Sequence, residues 1–161
     1  MTAGANEQVI HDFYASFQRK DAKGMAACYD AGVVFSDPVF PELVGARAGA
    51  MWAMLCGRSK DLSLTYSSVT ATDTEGSAAW RAIYTFSATG RRVENVVHAR
   101  FEFGGGKITR HVDRFDFWKW SRQALGLKGT LLGWTPIVRG AVQKRAAAQL
   151  AEYERTATVA R

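Results

Sequence analysis

The sequence of 161 residues contains only two cysteines, three prolines and three histidines. Cys28 and Cys56 match no metal-binding spacing, so we expect two reduced thiols and no disulfide framework. The histidines form no HxH or HExxH pattern, and the chain has no Walker, dinucleotide-binding or GxSxG motif. Because these motifs are absent, we expect neither a metal site nor a bound cofactor.

Long apolar stretches are also missing. No run approaches 18 apolar residues, and the opening segment MTAGANEQVIHDF lacks the basic and apolar regions of a signal peptide. We therefore expect a cytoplasmic protein. A chain that is 47% hydrophobic and 22% charged is typical of a globular protein, and its length suits one domain.

Acidic residues are absent from one segment, residues 118–145, which carries six of the 21 basic residues. The remaining 15 basic and 15 acidic residues balance, so the net charge of +6 belongs to this segment. Its tryptophans and aliphatic residues favour packing on the domain or on a partner subunit. The alternative is contact with an anionic membrane surface. The cations are too few and too scattered to favour nucleic acid.

Apolar periodicity divides the chain into helices followed by strands. Apolar residues at helical spacing predict helices over 6–19, 21–32 and 47–56. Alternation predicts strands over 33–36, 62–71, 78–88, 93–103 and 107–118, joined by glycine turns such as Gly104-Gly105-Gly106. Further helices are expected over 121–125 and 136–154. This order predicts an α+β fold in which three helices pack on a curved antiparallel sheet.

Three stretches carry a family resemblance: FYASFQRKDAKGMAACYDAGVVFSDPVF, FEFGGGKITRHVDRFDFW and SRQALG. Their order resembles the NTF2-like superfamily, in particular its ketosteroid isomerases and SnoaL-like proteins. The resemblance implies a cone-shaped domain, here residues 1–126, whose helices close over the concave sheet and leave a pocket. Residues 127–161 are then a basic amphipathic helical extension that packs on the same domain or on a partner subunit.

Asp37, followed by Pro38, falls on the position of the general base in the ketosteroid isomerases. A carboxylate at the mouth of an apolar cavity has a raised pKa, which suits a base for protons next to a carbonyl group. The oxyanion hole of those isomerases, a tyrosine and a protonated aspartate, is not matched, since these positions fall on Phe13 and Ala99. Tyr14 comes one residue later, about 100° around the helix. The alternative is that Asp37 only binds backbone N–H groups in a turn.

His111 and Asp113 are two residues apart on the last strand, so both side chains point to one face of the sheet. The resemblance to limonene epoxide hydrolases places Asp113 on one of their catalytic carboxylates, but the partner positions fall on Val97 and Ala99. SnoaL-like cyclases rely on a single acid–base aspartate, and Asp113 with His111 meets that requirement. The alternative is a buried pair that fixes the sheet.

Other inward-facing side chains are expected to line a pocket for a small apolar organic molecule: Tyr14, Phe35, Trp52, Trp80, Tyr84 and Asn95. On the strand that holds Asn95, His98, Arg100 and Glu102 alternate outward. In this superfamily that outer face is often where a second subunit packs, so we expect a homodimer.

Two functions from different classes therefore fit the sequence. The first is a cofactor-free acid–base enzyme, of isomerase, cyclase or hydratase type, that uses Asp37, His111 and Asp113. The second is a non-catalytic module that binds a ligand or a protein.

Overall fold

The computed structural model describes residues 2–160, which form helices and strands in the following order: α1 (Ala3–Gln18), α2 (Ala22–Ala27), β1 (Tyr29–Ser36), β2 (Leu43–Val44), α3 (Ala46–Arg58), β3 (Ser63–Ala71), β4 (Glu75–Phe86), β5 (Arg91–Gly104), β6 (Lys107–Arg114), α4 (Phe117–Leu125), α5 (Leu127–Leu132) and α6 (Pro136–Val159). The predicted α+β fold, with helices packed on one curved sheet, is confirmed.

The six strands form one sheet in the order β2-β1-β6-β5-β4-β3. All neighbours are antiparallel except β1 and β6, which run parallel, a pairing that the predicted meander did not include. Gly105 and Gly106, with φ of 58° and 77°, form the predicted tight turn between β5 and β6. Register shifts between Ser67 and Thr70 and between Glu102 and Phe103 add the local twist that curves a sheet.

Helix α1 packs on the concave side of the sheet because its apolar residues recur at helical spacing. Ile10, Phe13, Tyr14 and Phe17 are all buried in the main core. A second cluster, around Val93, Phe117 and Trp120, joins β5 to α4. The core is thus built on one face of the sheet, and the other face remains open.

The prediction of a helix over 21–32 was wrong at its end, since α2 ends at Ala27 and Tyr29 begins β1. Tyr29 pairs with Ile108 of β6, and its hydroxyl group contacts His111. Both partners are about 80 residues away in sequence, so local periodicity carried no sign of them.

The last strand was also predicted too long. It ends at Arg114, because the side chain of Asp116 accepts a hydrogen bond from the N–H group of Lys119 and thereby caps α4. Phe115 and Phe117 therefore do not continue the strand face of His111 and Asp113. Two short elements, β2 and α5, were not predicted at all.

Helix α6 runs to Val159, five residues beyond the predicted end, and lies against the rest of the chain. Leu150 is fully buried in the main core, and Gln143 Nε2 donates a hydrogen bond to the carbonyl oxygen of Pro38 at 3.0 Å. Arg47 Nε and Glu154 Oε1 form an ion pair at 3.2 Å. None of the helices within residues 2–160 is long and apolar enough to cross a membrane.

Candidate functional site

A cavity of about 460 Å³ lies between the concave face of the sheet and the helices. Its walls come from β4, β5 and β6, from the loop after β1, and from α3, α4 and α6. Most of the lining side chains are aromatic or aliphatic. Two carboxylic acids, Asp37 and Asp113, interrupt this apolar wall.

Asp37 is held in place by the backbone of its own loop. Its Oδ1 atom accepts hydrogen bonds from the N–H groups of Val39 at 2.7 Å and Phe40 at 2.6 Å. This is the turn geometry that an aspartate before proline adopts. Within residues 2–160, no donor reaches Oδ2. One oxygen therefore anchors the side chain, and the other is free for a ligand in the cavity.

The environment of Asp37 raises its pKa to about 7. Burial is the largest cause, because a charged carboxylate is poorly solvated among apolar side chains. The N–H group of Phe40 opposes this effect, and the negative charge of Asp113 adds to it. Burial therefore favours the protonated form of Asp37 at pH values where an exposed aspartate is fully ionised.

Asp113 is positioned by His111, whose ring is fully buried. His111 Nε2 lies 2.9 Å from Asp113 Oδ1, and Trp80 Nε1 donates to the same oxygen at 3.4 Å. The imidazole stacks on Trp52 with an interplanar angle of 20°, and Phe35 and Phe101 contact it from other sides. Asp113 Oδ2 is buried and receives no hydrogen bond from the described residues.

Both ring nitrogens of His111 lie within hydrogen-bond distance of a polar side chain. Trp52 Nε1, which can only donate, lies 2.9 Å from the hydroxyl oxygen of Tyr29, and that hydroxyl group lies 2.8 Å from His111 Nδ1. Burial raises the pKa of Tyr29 well above its usual value, so the phenol stays protonated and can donate a hydrogen bond to Nδ1. This arrangement suits the His111 tautomer that carries its hydrogen on Nε2 and donates a hydrogen bond to Asp113 Oδ1. The result is a chain of hydrogen bonds that runs from Trp52 through Tyr29 and His111 to Asp113.

The parallel pairing of β1 and β6 brings the two acids together. Phe35 pairs with His111 and Ser36 pairs with Val112, so the next residues along both chains are Asp37 and Asp113. Neighbouring strands lie about 4.8 Å apart. The charge of Asp113 contributes to the raised pKa of Asp37, which is consistent with this proximity. Both acids line the same cavity.

The other predicted pocket residues divide into two groups. Trp52, Trp80, Tyr84 and Asn95 line the cavity. Tyr14 and Phe35 do not, because both are fully buried in the core behind it. His111 likewise contacts the cavity only through Asp113.

Sequence reasoning missed the wall that α6 provides. Val138, Val142 and Ala146 of this helix line the cavity, and Leu150 continues the same row into the core. Their spacing of four residues places them on one face of a helix, so this apolar stripe was the signal that could have identified them. Lys128 and Arg145 also border the cavity and are exposed, which places two cations at its rim.

On the outer face of β5, His98, Arg100 and Glu102 are exposed, as the alternation predicted. A shallow, charged depression of about 410 Å³ runs beside them, bordered by side chains that include Arg100, Arg110 and Arg114. It lies on the opposite side of the sheet from Asp37 and Asp113.

The family of this fold is established by comparison with known domains. The family described as the SnoaL-like domain matches residues 10–111, which is more than half of the chain. The protein therefore belongs to the SnoaL-like domain family, and the predicted resemblance is confirmed. No curated protein matches its sequence significantly.

Solved structures of the NTF2-like kind share the fold at low sequence identity. An LEH-like epoxide hydrolase of M. tuberculosis is 18% identical, with a TM-score of 0.63, over 80% of this chain and 94% of that one. A candidate polyketide cyclase of Xanthomonas campestris pv. campestris is 22% identical, with a TM-score of 0.66, over 77% and 99% of the two chains. An NTF2-like protein of Burkholderia xenovorans LB400 is 20% identical, with a TM-score of 0.64, over 77% and 98%. At these identities the likeness establishes the fold alone.

Proposed function

We propose that this protein binds a small, largely apolar organic molecule in the cavity and performs cofactor-free acid–base chemistry on it with Asp37, His111 and Asp113. The observation that carries the proposal is that two carboxylic acids line one apolar cavity, each with one oxygen anchored and the other without a hydrogen-bond donor among the described residues. A carboxylic acid with a raised pKa in a cleft, as Asp37 is here, is an arrangement that proton-transfer catalysis uses.

Asp37 is the proton carrier in this proposal. Its ionised form removes a proton from a carbon next to a carbonyl group, and the electron pair of that C–H bond moves into an enolate. The protonated Asp37 then returns the proton to another atom of the same molecule, which completes an isomerisation. If the enolate carbon first attacks a second carbonyl group of the same molecule, a C–C bond forms and the C=O electron pair moves to the oxygen. Protonated Asp37 then gives its proton to this alkoxide, and the product is a ring. A pKa of about 7 lets one group serve in both directions at neutral pH.

Asp113 is the second acid–base group. The chain from Trp52 through Tyr29 and His111 fixes its orientation, so that Oδ2 is not drawn away by another donor. From that position it can hold the hydroxyl group of a substrate or the proton of an attacking water. The second case corresponds to hydration, in which Asp113 takes a proton from water and the water oxygen bonds to an electrophilic carbon of a double bond. Asp37 then protonates the atom that receives the electron pair of that double bond.

The residues also define which established mechanisms do not apply unchanged. Phe13, in the position of the isomerase tyrosine, is fully buried, and its ring centroid lies 5.3 Å from that of His111. Ala99, directly opposite Asp113 across β5 and β6, supplies no acid. We therefore propose neither a ketosteroid isomerase nor an epoxide hydrolase of the usual pattern.

A non-catalytic binding module is the second candidate. The observation in its favour is that Asp37 Oδ1 is bound by two backbone N–H groups and that His111 is fully satisfied, as purely structural residues would be. In that case the cavity binds its ligand unchanged.

Deuterium exchange distinguishes the two candidates. We would first identify any molecule that co-purifies by native mass spectrometry. We would then follow uptake of deuterium from D₂O, by NMR, at the α-carbons of that molecule and of a panel of apolar ketones. The enzyme candidate predicts catalysed exchange that falls by about 10²-fold or more in Asp37→Asn.

The matched control is Asp73→Asn, since Asp73 is an exposed aspartate whose side chain makes no hydrogen bond in the described part of the chain. Its exchange rate should equal that of the wild type. Bound ligand with no catalysed exchange, and no ¹⁸O uptake from labelled water, would instead support the binding module.

We also propose a homodimer through the outer face of β5, where Val96 is 45% exposed beside His98 and Arg100. Light scattering coupled to size-exclusion chromatography should give twice the monomer mass for the wild type. Val96→Asp should give the monomer mass, and a monomeric wild type would contradict this proposal.

A further inference from the structure

One region exposes large apolar side chains to an unusual degree. Among residues 2–160, those that remain exposed outside it (Val44, Val96 and Val159) are scattered singly. Six others are confined to 20 consecutive positions and form what we call the leucine–tryptophan surface: Trp118, Leu127, Leu131, Leu132, Trp134 and Ile137. Exposed clusters of this kind mark interaction sites.

Helix α5 exposes its leucines because its glycines face the protein. A Cβ atom at Gly129 would lie 1.8 Å from the carbonyl oxygen of Ser121, and one at Gly133 would lie 2.0 Å from the Ser121 side chain. Only glycine permits this close approach of α5 to α4. Leu131, by contrast, is 66% exposed. The usual burial of a surface helix is thus inverted, with the smallest residues inside and the largest outside.

Hydrogen bonds make the surface continuous. Trp118 Nε1 donates to the carbonyl oxygen of Thr130 at 3.2 Å, and Trp134 Nε1 donates to that of Leu131 at 3.0 Å. Leu127 and Leu131 are four residues apart on one helix and are therefore neighbours. The two indoles flank the leucines on a single surface.

The segment that carries this surface has charges of one sign only. Between residues 118 and 145 there are six basic residues and no acidic one. The guanidinium group of Arg122 lies over the ring of Trp118, 4.5 Å from its centroid, and Lys128 follows Leu127 directly. Within residues 2–160, no acidic side chain pairs with Arg122 or Lys128.

We propose that the leucine–tryptophan surface docks this protein on an anionic lipid bilayer. Leucine and tryptophan side chains enter the boundary between headgroups and acyl chains, and the surrounding cations bind acidic headgroups. A second copy of the chain fits less well, because a symmetric contact would bring two sets of unpaired cations together. Nucleic acid would attract the cations but gives no reason for exposed leucines.

Docking would also place the cavity at the lipid surface, since Leu125, Lys128 and Val138 border the cavity within the same segment. An apolar ligand could then pass from the bilayer into the cavity. This consequence rests on the proposed function, whereas the docking itself does not.

Vesicle flotation of the full chain tests the proposal. We would compare vesicles of phosphatidylcholine alone with vesicles that contain about 30% phosphatidylserine, at low and high salt. The wild type should float with the acidic vesicles only, and 0.5 M salt should release most of it. Leu131→Ser combined with Trp134→Ser should reduce binding at least tenfold. Arg122→Gln and Lys128→Gln should each reduce it about fivefold.

Val44→Ser is the matched control, because Val44 is 52% exposed on β2, away from this segment. It should bind as the wild type does, and circular dichroism should show that every variant is folded. Two results would overturn the proposal. One is that the wild type fails to bind acidic vesicles at low salt. The other is that the Leu131 and Trp134 substitutions leave binding intact but convert a dimer to a monomer, which would make this surface a subunit interface.

Discussion

Replacement of Asp37 by asparagine should change how the stability of the protein depends on pH. The pKa of Asp37 is 3.8 in the unfolded chain and about 7 in the folded protein. Between these pH values the folded state therefore binds more protons than the unfolded state. The free energy of unfolding of the wild type therefore falls as pH rises through this range and levels off above pH 7. Asparagine does not titrate in this range, and its side-chain oxygen can still accept hydrogen bonds from the N–H groups of Val39 and Phe40.

The size of the effect follows from the two pKa values. For a single group that titrates at 3.8 and about 7, linkage gives a loss of roughly 2.6 kcal/mol between pH 5 and pH 8. We expect no such loss in the Asp37→Asn variant, because residue 37 then does not titrate. Its free energy of unfolding relative to that of the wild type should therefore rise by about 2 to 3 kcal/mol from pH 5 to pH 8.

Urea unfolding at pH 5, 6, 7 and 8 measures this difference directly. Asp73→Asn, at an exposed aspartate, should stay parallel to the wild type throughout. Parallel curves for Asp37→Asn and the wild type would mean that Asp37 titrates normally in the folded protein, contrary to this prediction.

Three further changes test other parts of the site. Tyr29→Phe leaves His111 Nδ1 without its donor, so urea unfolding should show a loss of about 1 to 3 kcal/mol; an unchanged midpoint would contradict this chain of hydrogen bonds. Val142→Trp should fill the cavity and abolish binding of an apolar fluorescent probe, whereas Ala147→Trp, on the exposed side of α6, should not; equal binding by both would place the probe elsewhere. Leu150→Ala should cost about 2 to 5 kcal/mol and increase hydrogen exchange along α6; unchanged protection would show that α6 does not depend on this contact.

Local pattern was sufficient for most of the fold. In α1, β4 and β5 the spacing of apolar residues along the element itself indicates which side chains are buried. These elements were therefore predicted with only small errors at their ends. The two-residue spacing of His111 and Asp113 likewise predicted that they share a face. That prediction needed only the geometry of a single strand.

Contacts between distant parts of the chain could not be predicted in this way. Tyr29 belongs to β1 because it pairs with Ile108 and donates to His111, and neither partner is visible in the local sequence. The neighbourhood of Asp37 and Asp113 depends on the parallel register of β1 and β6. One wall of the cavity depends on α6, which is tied to the loop of Asp37 by a hydrogen bond across 105 positions of the sequence.

If Asp37 and Asp113 act together on one ligand, both must contact it in the same cavity. A crystal structure of the protein with its co-purified ligand, or with a ligand found by the exchange screen, would show these contacts. We predict that Asp37 Oδ2 and Asp113 Oδ2 both lie within about 3 Å of the ligand. The ligand atoms that they contact should be those that lose and gain the proton. A ligand bound outside the cavity, or either carboxylate turned away from it, would contradict the account.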